Sequence, residues 1–124
     1  MNVNKVIDKV NALKSHSYDE KEVKGFIEEC DKKIYREIAE HFDSTIETYN
    51  ERYPLDGDDE LIADDAYYML YVWYAIAQID LFNGETDRYL NDLILFNNYY
   101  NDFEMYFTRT HNYKKSKITR IITD

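Results

Sequence analysis

Glycine, proline and cysteine are all scarce in this chain of 124 residues, which holds 3 Gly, 1 Pro and 1 Cys. So few turn-forming residues leave little room for the tight turns of a β-sandwich, and the remaining pattern favours helices. The single cysteine, Cys30, cannot form an internal disulfide, and the sequence does not begin with a charged-then-apolar leader. We therefore expect one all-α domain that is made and kept in a cytosol.

The chain also lacks a long apolar run and a surplus of basic charge. Its longest uncharged stretch, residues 66–79, has 14 residues, whereas a helix needs ~20 to cross a bilayer. The formal net charge of −10 argues against a protein that binds nucleic-acid phosphates without sequence preference. We expect a buried helix rather than a membrane anchor, and no stable complex with DNA.

Apolar residues recur at helical spacing in four stretches of the chain. They predict helices at 2–14, 18–42, 64–83 and 86–110. Ser17 and Glu20 fit a capping box at the start of the second helix. The acidic segment 43–65 has no sustained apolar period, so it is expected to connect helices and to hold at most a short helix at 44–52.

Gly84 is the predicted turn between the last two helices. The pair Asn83-Gly84 would suit a β-hairpin, but the helical period on both sides favours a left-handed helix stop at Gly84. Two helices joined by so short a turn run antiparallel, which predicts a helical hairpin at 64–110. The expected architecture is a small four-helix bundle at 1–111 with an extended C-terminal arm at 112–124.

Three polar patterns that would suit a metal or a reaction are incomplete. A calcium-binding loop counted from Asp56 places Leu61 where glycine is required and Tyr67 where a bidentate glutamate belongs. The acids near His41 lack the Glu-x-x-His spacing of di-metal bundles, and no second copy exists. The sequence has neither a nucleophile motif nor a Gly-rich phosphate loop. We expect no metal, no cofactor and no enzymatic activity.

Aromatic residues are abundant, with 13 Tyr, 6 Phe and 1 Trp. No lysine occurs between Ile34 and Tyr113, and protein interfaces are likewise enriched in Tyr, Trp and Arg and depleted in Lys. The helix at 64–83 is apolar on more faces than one small subunit is expected to cover. These features favour a subunit interface, and the same residues also fit an ordinary core. The predicted interface residues are Tyr67, Tyr68, Tyr71, Trp73 and Tyr74.

The C-terminal arm has the opposite charge from the rest of the chain. Residues 1–110 hold 11 Lys and Arg against 24 Asp and Glu, whereas residues 111–124 hold 4 against 1. The sequence KITRIIT has high β propensity and suits addition to the sheet edge of a partner, the alternative being a disordered terminus. We expect its basic residues to guide the arm to an acidic partner surface and its isoleucines to anchor it there. These residues are Lys114, Lys115, Lys117, Ile118, Arg120, Ile121 and Ile122.

Several short motifs occur together between residues 67 and 111. They are the tyrosines Tyr67, Tyr71 and Tyr74 followed by QID at 78–80, the turn NGE at 83–85, FN at 96–97 and RTH at 109–111. With VNALK and CDKKIYREI in the N-terminal half, this set resembles the small head–tail connector (adaptor) proteins of tailed bacteriophages and of prophages in Gram-positive bacteria. The chain differs from that family in having no proline just before Tyr67 and no Met-Pro after His111.

The resemblance implies a structural protein of the virion neck, made in the cytoplasm of the host bacterium. Such subunits form a homo-oligomeric ring, commonly of twelve copies, beneath the portal protein, which they engage partly through a C-terminal arm. The ring extends the DNA channel and docks the next neck or tail protein, and an acidic body fits a channel that DNA passes without sticking. An alternative function, suggested by the residues without the resemblance, is that of a free acidic inhibitor that mimics the charge of DNA and blocks a DNA-binding enzyme.

Overall fold

The computed structural model describes residues 1–114. Within this range the chain is mostly helical and contains no β-strand, which confirms the all-α prediction. The five helices are α1 (Val3–Leu13), α2 (Glu20–Glu37), α3 (Tyr49–Arg52), α4 (Met69–Phe82) and α5 (Thr86–Thr110). No helix in this part of the chain combines the length and the hydropathy of a bilayer-spanning segment.

The helices α1 and α2 begin at side chains that accept a free backbone N–H group. The side chain of Asn2 accepts the N–H of Lys5 at 2.9 Å, and that of Asp19 accepts the N–H of Glu22 at 2.8 Å. The prediction of a capping box starting at Ser17 is therefore wrong. Asp19 is the cap, and its charge also interacts favourably with the positive end of the helix dipole.

The helix α2 ends at Glu37, earlier than the apolar period predicts, because Ile38 leaves the helical conformation with φ −125° and ψ −69°. A 3₁₀ turn at Ala39–His41 follows, and Phe42 is extended. This change of direction places the ring of Phe42 5.5 Å from that of Phe107 in α5. The last apolar residues of the predicted helix thus reach the core through a turn.

The helices α4 and α5 pack on each other through aromatic rings. Tyr67, just before α4, lies 5.7 Å from Phe103, whereas Tyr74 lies 5.5 Å from Phe96, measured between ring centroids. Residues further along α4 therefore meet residues earlier in α5. The helix α4 begins at Met69 rather than at 64, because hydrogen-bonded turns precede it.

Gly84 separates α4 from α5 and has φ 74°, in the left-handed region. The N–H of Glu85 donates to the carbonyl of Asp80 at 2.9 Å, and that of Gly84 donates to the carbonyl of Leu81 at 3.1 Å. These two bonds satisfy carbonyl groups that the end of α4 leaves without helical partners. The conformation strongly favours glycine, because a side chain in the left-handed region is strained.

The acidic segment 43–65 folds back over the start of α1. The carbonyl of Gly57 accepts the N–H of Asn4 at 2.9 Å, and the carbonyl of Asp59 accepts the N–H of Val3 at 3.3 Å. A Cβ atom at Gly57 would lie 2.5 Å from the side-chain oxygen of Asn4, so a larger residue there would require the exposed side chain of Asn4 to move. The segment supplies backbone acceptors that a helix start lacks within its own helix.

Candidate functional site

The C-terminal arm leaves the helical body beside the 3₁₀ turn that follows α2. Two backbone hydrogen bonds, with N–O distances of 2.8 and 3.1 Å, join residues 41–43 to residues 112–114. Between them, Phe42 and Tyr113 form an antiparallel bridge, and their rings stack with centroids 4.5 Å apart. The first residues of the predicted arm are therefore docked on the body.

Only the first of the predicted portal-binding residues belongs to the described part of the chain. Lys114 donates its backbone N–H to the carbonyl of His41 at 3.1 Å, and the residue is exposed. The others, Lys115, Lys117, Ile118, Arg120, Ile121 and Ile122, lie outside the described residues. The segment that pairs with the arm, residues 41–43, directly follows the 3₁₀ turn at Ala39–His41. The body therefore has no extended backbone on the N-terminal side of His41.

The five predicted interface residues differ in how much of their surface remains open. Tyr71 is completely buried, so it has no surface to offer to a second subunit. The four half-buried residues, which pack against the core of their own chain, are Tyr67, Tyr68, Trp73 and Tyr74. The hydroxyl of Tyr74 also donates to a carboxylate oxygen of Glu29. One chain thus covers most of α4, more than its sequence leads one to expect.

Asp31, in α2, is a completely buried acid to which four residues donate hydrogen bonds. Its Oδ1 accepts the hydroxyl of Tyr71 at 2.7 Å and the N–H of Ile62 at 3.0 Å. Its Oδ2 accepts the hydroxyl of Tyr53 at 2.6 Å and the Nε–H of Arg52 at 2.9 Å. Because a buried charge without partners is costly, these bonds tie the acidic segment to α2 and α4.

The donors around Asp31 remain protonated over the whole physiological range of pH. Burial, together with the charge of Asp31, raises the pKa of Tyr53 and of Tyr71 well above its ordinary value. Burial alone would lower the pKa of Arg52, but the charge and hydrogen bonds of Asp31 outweigh it and raise that pKa. Arg52 also lies 2.9 Å from Glu47 at the surface. The arrangement is suited to holding segments together, and its tyrosine and arginine donors keep their protons near neutral pH.

A second acidic centre joins α1, α4 and α5. Asp80 is 2% exposed, and its Oδ1 lies 2.6 Å from the Nζ of Lys14. The same ammonium group lies 3.2 Å from a carboxylate oxygen of Glu85. Asp92, which is 7% exposed, lies beside Asp80, and its buried Oδ2 has no hydrogen-bond donor in the described structure. Two carboxyl groups therefore meet beside a single ammonium group.

The two acids of this centre titrate differently. Burial, together with the neighbouring Asp80, raises the pKa of Asp92 to about 7. Burial alone would raise the pKa of Asp80 as well, but hydrogen bonds from Asp92 and Lys14 outweigh it and lower that pKa. Asp92 thus keeps its proton in mildly acidic solution and donates it to the carboxylate of Asp80 in a hydrogen bond.

The acids of the connecting segment have structural partners. The N-terminal ammonium group of Met1 lies 2.7 Å from Glu60 and 3.0 Å from Asp65. The N–H of Asp56 donates to the carboxylate of Asp59 at 2.7 Å. Among residues 1–114, no group of three or more His, Cys, Asp and Glu side chains is placed to hold a metal ion.

The surface recesses are small and open. One of about 280 Å³ is lined by residues from the end of α1 to the start of α2, where His16 lies 2.7 Å from Asn11. Another, of about 220 Å³, lies beside the docked arm and includes Glu37, Glu104 and Tyr113 in its lining. Two carboxylates therefore lie in the recess beside the start of the basic arm.

The side of α5 that faces away from the body is exposed and partly apolar. Leu90 is 52% exposed, Ile94 59% and Met105 64%. With Asn98 and Asn101 they follow one another at gaps of four, four, three and four residues, which places all five on one side of the helix. We call these five residues the outer face of α5. The sequence interpretation, which centred on the tyrosines of α4, missed it.

No protein-family model matches this chain, and searches of curated proteins and of solved structures give no match.

Proposed function

We propose that this chain is a head–tail connector (adaptor) subunit of a tailed bacteriophage or prophage. Copies of it would form a ring beneath the portal, commonly of twelve subunits in the family it resembles, within the neck of the virion. The observation that carries the proposal is the docked start of the basic arm. Residues 112–114 pair with residues 41–43 of an acidic body, and Lys114 begins the basic stretch.

The fold that we infer for this role is a bundle of α1, α2, α4 and α5, with the last two as an antiparallel hairpin. The ring contacts of Tyr67 with Phe103 and of Tyr74 with Phe96 support it, because the later of the two tyrosines contacts the earlier of the two phenylalanines in α5. The left-handed conformation of Gly84 supports the tight turn. A rigid bundle of this kind would hold the arm in a constant direction relative to the ring.

The arm would engage the portal by adding a strand to an exposed edge of that protein. The backbone pairing at residues 112–114 already has the antiparallel hydrogen-bond pattern of such an edge. The four basic residues of the arm would steer it toward an acidic portal surface, and its isoleucines would be buried there. Carboxylates at Glu37 and Glu104, beside the exit of the arm, would disfavour its collapse onto a phosphate backbone.

The acidic body would line a channel through which DNA passes. With 24 Asp and Glu against 11 Lys and Arg in residues 1–110, contact with phosphates is repulsive over most of the surface. The half-buried Tyr68 and Trp73 would still contribute surface to a neighbouring subunit. The far side of the ring would dock the next neck or tail protein.

The test is co-sedimentation of the cognate portal protein with three forms of the chain, at two salt concentrations. The first form is the full chain, and the second ends after Lys114, so that it keeps the Phe42–Tyr113 stack. The third carries Ser in place of Lys114, Lys115 and Lys117. Circular dichroism of each form checks that the helical body remains folded.

We expect the full chain to sediment with the portal and the shortened chain to remain in the supernatant. The serine variant should bind more slowly and with less dependence on salt, because exposed charges steer an encounter more than they hold a complex. Equal binding by the shortened chain would refute the role of the arm. If the full chain does not bind the portal but inhibits a DNA-binding enzyme, the DNA-mimic alternative is favoured.

A further inference from the structure

Most of the outer face of α5 lies on a strip of helix surface without exposed charge, which ends before Met105. Between Arg88 and Asp102 the only charged residue is Asp92, and Asp92 is buried. The exposed positions of this stretch are Leu90, Asn91, Ile94, Leu95, Asn97, Asn98 and Asn101. Charged residues make up 32% of the chain, so an uncharged strip of this length is unusual on its surface.

We propose that the outer face of α5 binds the same face of a second copy, with the two α5 helices antiparallel about a two-fold axis. Each copy carries a formal net charge of −10, so two copies repel each other wherever their acidic surfaces meet. The uncharged strip allows contact without opposing carboxylates. This inference goes beyond the connector proposal and does not depend on it.

The charges at the two ends of the strip select the antiparallel direction. Asp87 and Arg109 are both exposed and lie 22 residues apart, about 33 Å along the helix. In an antiparallel pair, Asp87 of each copy lies near Arg109 of the other. In a parallel pair, like charges would meet at both ends. The dipoles of two antiparallel helices also attract each other, whereas those of two parallel helices repel.

The antiparallel pair has a self-complementary register. If Leu90 of one copy lies opposite Met105 of the other, then Ile94 lies opposite Asn101, and Asn97 lies opposite Asn98. An asparagine side chain has both a donor and an acceptor, so two of them can hydrogen-bond across a two-fold axis. Apolar contacts near the ends and amide contacts near the axis would thus occur together.

The strip is too small for a tight dimer. A helix surface about 33 Å long and about 10 Å wide covers well under the roughly 800 Å² per partner of a standard interface. We therefore expect a dimer that dissociates on dilution. Its association should be measurable at concentrations of tens to hundreds of micromolar.

The first test is sedimentation velocity of the full chain over that range of concentration. The apparent mass of the unsubstituted chain should rise with concentration from 15.0 kDa toward twice that value. Ile94→Asp should weaken dimerisation at least tenfold, because it places two carboxylates close to the axis. Leu13→Asp is the matched control, since Leu13 is a 49% exposed leucine at the end of α1, and it should leave the dimer unchanged. A chain that stays monomeric throughout, or equal effects of the two variants, would overturn the proposal.

The second test fixes the direction with Leu90→Cys and Met105→Cys. Cys30 is completely buried and should not react. Under mild oxidation, a mixture of the two variants should form a disulfide-linked dimer, and each variant alone should form much less. Linkage within each single variant instead of the mixture would indicate a parallel pair and refute the proposed arrangement. Neither test involves the portal, so the connector proposal stands or falls separately.

Discussion

Asp31 and Asp80 are both buried acids, but the groups that surround them differ. Asp31 is approached by a guanidinium group, two hydroxyl groups and a backbone N–H. Asp80 has one ammonium group, that of Lys14, and a second carboxyl group, that of Asp92. The first centre joins the acidic segment to α2 and α4, and the second joins α1 to α4 and α5.

The difference shows two ways in which a protein interior accommodates carboxylates. Around Asp31, four residues donate hydrogen bonds, so the buried carboxylate is fully provided with donors. Around Asp80, donors are fewer, so the neighbouring Asp92 supplies one by keeping its own proton. The contribution of the second centre to stability should therefore change as the pH rises toward 7.

The largest expected effect comes from Asp31→Asn, which leaves the guanidinium of Arg52 with the surface carboxylate of Glu47 as its remaining ion-pair partner. We expect a loss of roughly 3 kcal/mol in the free energy of unfolding, because removing one member of a buried ion pair exposes the other to its desolvation cost. Urea unfolding monitored by circular dichroism measures it. Asp56→Asn, at an exposed acid, is the control, and a loss below 1 kcal/mol for Asp31→Asn would contradict the central role of this acid.

Removal of one hydroxyl donor should have an intermediate effect. Tyr71→Phe deletes a hydrogen bond to Asp31 and leaves the N–H of Ala63 without its acceptor. We expect a loss of about 2 kcal/mol in the same unfolding experiment, since both broken bonds are buried. Tyr68→Phe, at a half-buried tyrosine outside this centre, should cost much less. Similar losses for the two variants would mean that the hydroxyl of Tyr71 contributes little.

The pH dependence of the second centre is tested by Asp92→Asn. The pKa of Asp92 in the folded chain is about 7, above its ordinary value, so its contribution to stability is lost as the pH rises through 7. Asparagine mimics the protonated acid. The variant should gain less over the unsubstituted chain at pH 5 than at pH 8, where it should be more stable by about 1 kcal/mol after allowance for solvent screening. Urea unfolding at the two pH values decides it, and an equal difference at both would be inconsistent with a shared proton.

The smallest effect should come from Glu47→Gln. Glu47 is the exposed partner of Arg52, with 48% of its side chain accessible, and exposed ion pairs contribute little. We expect a change of about 0.5 kcal/mol or less. A loss as large as that of Asp31→Asn would show that the position of Arg52 depends on the surface acid instead of the buried one.

The helices were largely readable from local signals in the sequence. The helix α5 spans the range 86–110 that its apolar period predicts, because Gly84 stops the preceding helix and an acid, Asp87, lies in its first turn. The end of α2 was not readable, since the spacing of Ile34, Ile38 and Phe42 is the same for a continuous helix and for a helix followed by a turn. Tertiary contacts of Phe42 decide between them.

The buried acids were harder to find from sequence. Asp31 stands among charged residues in EECDKK and looks like part of a solvated surface. A usable signal was Arg52, the only basic residue of the segment 43–65, because a single cation among nine acids indicates a specific partner. Asp80, which interrupts an apolar helix, gave a similar signal. The pairing of each buried acid with its cation depends on contacts between segments that are distant in the sequence. Such contacts leave no periodic pattern that a single sequence would reveal.

The docking of the acidic segment on α1 has a consequence for the order of folding. The helix α1 has only 11 residues, and isolated helices shorter than about 12–15 residues are marginal in water. The N–H groups of Val3 and Asn4 find their acceptors at Asp59 and Gly57, more than fifty residues later in the chain. During synthesis on the ribosome, α1 emerges well before these acceptors, so its first turn should remain open until Gly57 and Asp59 have followed. Slow hydrogen exchange at Val3 and Asn4 would then report the closure of the acidic segment rather than the formation of α1 itself.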